Sequence, residues 1–212
     1  MNDKVKEYYE RYWQRAHPPP EADSLAPTRS RLLWRQVERV EIEVGRLLDV
    51  GTGNGRLVGE ALERDIEAIG IDVADEAISR ARTAVPAGTF LANDVESLPS
   101  LAAEGPFDVV AAFEVIEHLL APRLLTEGAA AVLRPGGYLA ITTPFHGGLK
   151  NVAISLLHFD HHFAIEGEHI RFFTDRALRR LLESSGFAVE SIIHFGRFPP
   201  LWAGVFVWAR RT

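Results

Sequence analysis

Between residues 45 and 144, short apolar runs alternate with segments of helical periodicity, and this rhythm leaves few architectures open. "GRLLDVG" (45–51), "EAIGIDV" (67–73), "GTFLAND" (88–94), "FDVVAAF" (107–113) and "YLAITTP" (138–144) are short and almost continuously apolar. They read as strands buried on both faces. "RLVGEALERD" (56–65), "DEAISRARTAV" (75–85) and "APRLLTEGAAAVL" (121–133) space their apolar residues as helices do. Such repetition predicts a doubly wound α/β sheet, mostly parallel, with helices on both faces. The closing pair "FAVESIIHFG" and "LWAGVFVWARR", separated by "RFPP", reads as two more strands, the last antiparallel. That makes a seven-stranded sheet.

The flanks define the rest of a single domain over 1–212. An N-terminal helical cap covers 1–40: Val5, Tyr8, Tyr9, Tyr12 and Trp13 fall near one helical stripe, and "HPPPEADSLAP" (17–27) interrupts it. A second helix follows with Leu32, Leu33, Val37 and Val40 as its apolar face. The cofactor-binding core spans 45–144, a substrate-side insertion 145–173, and a C-terminal helix and strand pair 174–212. The aromatic "YYERYW" suits either a lid over the core or a helix packed on the sheet edge.

Composition narrows the function. A net charge of −6 argues against a nucleic-acid-binding module, which carries a basic stripe. With no cysteine, disulfides, thiolate metal sites and thiol nucleophiles are excluded. The charged start lacks the apolar core of a leader, and no apolar run reaches the length of a membrane span. The expectation is a cytoplasmic protein, monomeric or homodimeric.

Polar residues interrupt the apolar strands at one place, their C-terminal ends. "LLDVGTGNGRL" places glycines at 51, 53 and 55 between a strand and a helix, where tight bends bring main-chain N–H groups close to a ligand. The glycine spacing departs from the dinucleotide fingerprint. Asp49 is an unusual residue for a buried strand end unless it serves something polar. Asp72, some twenty residues on, stands where a carboxylate accepts ribose hydroxyl protons, or else caps the next helix; Asp75 suits the cap better. Asp94 ends the third strand, as an adenine ligand or a turn residue. Three acids at three successive strand ends coincide far less readily than any one alone.

In their order, "LLDVGTGNG", "GIDVADEAI", "ANDVESLP", "PFDVVAAFEVIEHL" and "LRPGGYLAITTP" resemble the class I S-adenosylmethionine-dependent methyltransferases, over roughly 45–145. The resemblance implies a Rossmann-like fold and S-adenosyl-L-methionine as cofactor, with S-adenosyl-L-homocysteine as product. It implies that Gly51, Thr52, Gly53 and Asn54 line the methionine part, Asp72 binds the ribose, and Asp94 with Val95 holds the adenine. Phe113 and Glu114 border the sulfonium, and Asp49 and Val73 complete the cofactor set.

"EVIEHL" (114–119) further resembles the ubiquinone-pathway O-methyltransferases and the small-RNA 2′-O-methyltransferases. If the chain turns helical there, Glu114, Glu117 and His118 fall at i, i+3 and i+4 on one face. The resemblance implies a divalent metal (magnesium, manganese or zinc) held by Glu114, Glu117, His118 and His169. Two adjacent carboxylates would repel without a cation, and a metal-bound hydroxyl becomes more acidic. The competing reading is metal-free, with His118 or His169 as base beside Glu117. "HFDHHF" (158–163) and His146 are further candidates for ligand, substrate-contact or loop roles. The expected activity is O-methylation of a small hydroxylated molecule. A metal-free N- or O-methyltransferase and a non-catalytic S-adenosylmethionine-binding protein are the alternatives.

Overall fold

The computed structural model describes residues 3–15, 23–157 and 170–212. Seven strands form one sheet: β1 (Arg46–Val50), β2 (Glu67–Asp72), β3 (Thr89–Ala92), β4 (Phe107–Phe113), β5 (Leu133–Pro144), β6 (Phe187–Phe195) and β7 (Gly204–Arg211). Their order is β3-β2-β1-β4-β5-β7-β6. β1 to β5 run parallel, while β7 is antiparallel to both β5 and β6. The expected Rossmann-like sheet with a reversed last strand is therefore present. Order reverses between β1 and β4, so a crevice opens beyond their C-terminal ends, where sheets of this kind take their ligands.

Alternate side chains of the central strands supply two apolar layers. Leu48, Val110, Ala112, Leu139 and Ile141 face α5 (Pro122–Val132) and α7 (Asp175–Glu183), where Leu125, Ala129, Leu178 and Leu182 meet them. Leu47, Val109, Ala111 and Ala140 face α2 (Ala26–Val40), α3 (Arg56–Leu62) and α4 (Asp75–Ala84), through Leu33, Trp34, Val58 and Ile78. α1 (Asp3–Arg15) lies on α4, and α6 (Gly148–Leu157) follows β5.

Several boundaries differ from the sequence expectation. After β4 the chain makes only a 3₁₀ turn, Ile116–His118, rather than a helix. Its predecessor Glu114 has φ of 55°, so Glu114, Glu117 and His118 do not share one helical face. β5 starts at Leu133, which pairs with Phe107 of β4, and "RPGG" bulges between that pair and Val109 with Tyr138, where the strand was expected to begin. A 3₁₀ helix, Val95–Ala103, fills the link to β4 with Leu98 and Leu101 buried; "SLPSL" has neither the length nor the period to announce it.

Trp208 on β7 is fully buried and stacks on Tyr138 of β5 at 4.5 Å, and its indole N–H has no hydrogen-bond partner among the described residues. Trp208→Ala should cost about 4 kcal/mol in urea unfolding, as buried aromatic truncations do. Trp208→Phe should cost less than about 1.5 kcal/mol, because it sacrifices no hydrogen bond.

Candidate active site

The β1–α3 turn is closed on itself. Gly51 has φ of 73°, and a Cβ there would stand 2.5 Å from Val115 Cγ2, so only glycine lets the turn pass beneath the β4 end. The N–H groups of Gly51 and Thr52 both donate to Ile71 O, that of Gly53 to Asp72 Oδ2, and that of Gly55 to Thr52 O. This corrects the expectation that the loop's N–H groups face a ligand: four are committed inside the protein. A phosphate cradle needs such donors free. A ligand lying over this turn must be recognised in another way, which disfavours a pyrophosphate.

Asp49 and Thr52 pair below the turn, Thr52 Oγ1 donating to Asp49 Oδ2 at 2.7 Å. Both are buried, and the Thr52 hydroxyl anchors the Asp49 carboxyl. Burial pushes the Asp49 carboxyl up to about 7, against the pull of the Thr52 hydroxyl. Asn54 is half-buried and its side chain accepts from Arg56 N–H.

Asp72 ends β2, 8% exposed, with Oδ1 accepting from Ala74 N–H at 3.0 Å and Oδ2 from Gly53 N–H at 3.1 Å. Burial raises its carboxyl above the ordinary range, and these backbone donors oppose the rise. Each oxygen keeps lone-pair capacity for a further donor. The next helix begins at Asp75 with Ala74 as the cap residue, so Asp75 is not the N-cap its sequence suggested. Val73 is half-buried beside it. Asp94 caps the 3₁₀ helix that starts at Val95, accepting from Ser97 N–H at 3.0 Å.

At the end of β4, Phe113 is half-buried against Phe206 at 6.3 Å. Glu114 is held through both ends: its N–H donates to Thr142 O, and Thr142 Oγ1 donates to its Oε1 at 2.8 Å. Glu117 is fully buried, and among the described residues neither carboxylate oxygen makes a hydrogen bond of good geometry; the buried Thr143 hydroxyl beside it opposes the rise of its carboxyl. Desolvation first, then the charge of Glu114, pushes Glu117 up to about 8. His118 Nε2 lies 3.9 Å from Glu117 Oε1, and Tyr9 of α1 meets the His118 ring edge-on at 6.0 Å. Ile170 and Arg171 both donate their N–H to Glu117 O, so the chain that follows residue 169 is fastened to this turn.

Among the described residues, no group of three or more histidine or acidic side chains is arranged to hold a metal ion. His169 and the "HFDHHF" segment lie outside the described residues. His146 is buried, with Nδ1 3.2 Å from Asn151 Oδ1 and its ring edge-on to Phe172.

A model of the methyltransferase domain family matches residues 5–192. The chain belongs to the methyltransferase domain family. A ubiquinone biosynthesis O-methyltransferase of Xanthomonas euvesicatoria pv. vesicatoria is 32% identical over 144 residues, covering 66% of this chain and 59% of that protein. One from Xylella fastidiosa is 32% identical over 145 residues, covering 66% and 57%. The chain thus matches less than two thirds of the length of these relatives. Among solved structures, magnesium protoporphyrin IX methyltransferase from Synechocystis PCC 6803, with bound S-adenosylhomocysteine, superposes with a TM-score of 0.74 at 14% identity, covering 100% of both chains. Burkholderia thailandensis 1,6-didemethyltoxoflavin-N1-methyltransferase gives 0.73 at 19% identity, covering 98% of this chain and 87% of its own. At those identities the likeness is one of fold.

In this methyltransferase two site residues escaped the sequence reading, and both come from the N-terminal cap. Arg29 of α2 is 8% exposed; its guanidinium pairs with Asp23 and brings Nε to 3.4 Å from Glu114 Oε1. Its charge opposes the rise that burial imposes on Glu114. The available signal was its position three and four residues before Leu32 and Leu33, an arginine on an apolar stripe. Glu10 of α1 reaches the start of α4, and its sequence context gave no sign of this.

Two outcomes follow from these charges. Arg29→Met should lower stability by about 3 kcal/mol in urea unfolding, since it strands a largely buried carboxylate. Adding Glu114→Gln should recover part of that loss. Native Asp49 keeps its proton up to about 7, whereas an unfolded chain releases it near the ordinary ~3.9. The native state therefore binds more protons across that interval, and stability falls as pH rises through it, by at most about 1.4 kcal/mol per unit. Asp49→Asn should remove this component, seen as a flatter unfolding free energy from about pH 4 to pH 7.

Proposed function

We propose that this methyltransferase transfers the methyl group of S-adenosyl-L-methionine to a hydroxyl oxygen of a small molecule. The observation that carries the reading is the polar cluster at the ends of β4 and β5, set against the cofactor turn through Val115 and Gly51. There, among the described residues, Glu117 keeps two buried oxygens without a well-formed hydrogen bond, beside His118. Buried polar atoms without partners are rare and call for a ligand. The ubiquinone O-methyltransferase relatives support an oxygen acceptor.

In this proposal Asp72 accepts from the ribose hydroxyls, Asp94 and Val95 flank the adenine, and the turn from Gly51 to Asn54 carries the methionine moiety. Phe113 and Glu114 border the sulfonium. The acceptor oxygen attacks the methyl carbon in line with the breaking S–C bond, whose electron pair stays on sulfur to give the thioether. The acceptor's proton must leave to a base, and His118 Nε2 is the imidazole nitrogen beside the cluster. The sulfonium already activates the methyl group, so the remaining work is alignment and exclusion of water.

A divalent cation at the same residues is a second reading, and it requires them to draw together, since among the described residues no three are arranged to hold one. Glu114, Glu117 and His118, with His169, would hold it, and the buried Glu117 oxygens fit such an ion. When bound, it would make an acceptor hydroxyl more acidic and favour vicinal oxygens. One observation favours the metal-free reading: Arg29 already supplies a positive charge to Glu114.

S-adenosylhomocysteine at a hundredfold excess over its Kd should stabilise the fold by about 2.7 kcal/mol, and NAD should leave Tm unchanged. Stabilisation by NAD alone would sink the cofactor assignment. Manganese titration followed by electron paramagnetic resonance tests the ion: wild type should bind, and Glu117→Ala and His169→Ala should not. Equal absence of binding in all three leaves His118 as a metal-free base.

A further inference from the structure

The helix that follows Asp72 lacks a cap of its own. α4 opens at Asp75, and its cap residue is Ala74, a fully buried methyl that can accept nothing. The first N–H groups of a helix need acceptors. Here a residue sixty-five positions away provides them: Glu10 Oε1 accepts from Asp75 N–H at 2.5 Å and Oε2 from Glu76 N–H at 3.3 Å.

Further ties bind α1 at the same place. Lys6 pairs with Asp75 at 2.6 Å, and Arg80 donates to Trp13 O at 2.8 Å while lying over the Trp13 ring. That ring passes 3.3 Å from where a Cβ on Gly53 would be. Asp72 stands between these anchors, with one oxygen on Gly53 N–H and the other on Ala74 N–H. The turn from Asp72 to Glu76 is therefore fixed at its start by the glycine turn and at its end by α1.

We infer that Glu10 is a positioning residue for the cofactor: by capping α4 from α1 it holds the Asp72–Asp75 turn so that the free lone pairs of Asp72 stay aimed at the ribose hydroxyls. The inference rests on the ribose role proposed for Asp72. It makes the N-terminal helix a working part of the cofactor site. Loss of the cap frees the N–H groups of Asp75 and Glu76, and the turn gains alternatives that no longer present the carboxylate.

Isothermal titration of the full chain with S-adenosylhomocysteine tests it through a double-mutant cycle. Glu10→Ala should weaken binding about fivefold, the size of a lost helix cap. Asp72→Asn should weaken it about tenfold or more, the size of one lost charge-assisted contact. Glu10→Gln keeps the side-chain length and one of the two accepting oxygens, and should bind more tightly than Glu10→Ala. In the Asp72→Asn background, Glu10→Ala should cost less than about twofold, because the two residues act through one contact. Equal costs of Glu10→Ala in both backgrounds, or binding by Glu10→Gln no tighter than by Glu10→Ala, would overturn the inference and leave Glu10 a packing residue. Full-strength binding by Asp72→Asn would overturn the ribose assignment itself, and the inference with it. Full-strength binding by Glu10→Ala beside a weakened Asp72→Asn would overturn the inference alone.

Discussion

Burial of the central strands on both faces is the constraint on which everything else in this domain rests. Leu47 and Leu48, Val109 and Val110, Leu139 and Ala140 point alternately into two apolar layers, and all are fully enclosed. No face of β1, β4 or β5 is left for chemistry. Polar groups that serve a ligand are confined to the ends of these strands, and the reversal of order between β1 and β4 opens the crevice there.

Confinement has an electrostatic cost, because Asp49, Asp72 and Glu117 stand at that edge with little access to water and Glu114 is half-buried beside them. Desolvation raises each of them. The protein compensates them unequally. Asp72 has two backbone donors, Asp49 has a hydroxyl, and Glu114 has a hydroxyl and the Arg29 guanidinium. Among the described residues Glu117 makes no well-formed side-chain hydrogen bond, and only the Thr143 hydroxyl and the charge of Arg29 oppose its rise.

The N-terminal cap participates in this balance. α2 delivers the positive charge that faces Glu114, and α1 spans from the start of α4 to the ring of His118. α1 packs on α4 rather than on the sheet edge, and its Trp13 ring lies against the glycine turn at Gly53.

Much of the fold was legible in sequence because buried parallel strands write themselves as continuous apolar runs, and glycine turns and strand-end acids interrupt those runs conspicuously. The sheet, its reversed last strand and the acids at 49, 72 and 94 were readable in this way, as was membership of the methyltransferase family. What local pattern cannot encode is contact between distant segments. Asp75 and Glu10 meet across more than sixty residues, and Arg29 meets Glu114 across a still longer separation, so neither pair leaves a periodicity behind. The turn after β4 failed for the same reason: "FEVIEHL" has helical spacing, but Thr142 holds Glu114 in a left-handed conformation and the chain after residue 169 fastens onto Glu117. Sequence alone determined which chemistry stands at the strand ends. The tertiary structure decided which of those groups are neutralised and by whom, because charge compensation in a buried site is a matter of distances that no single segment contains.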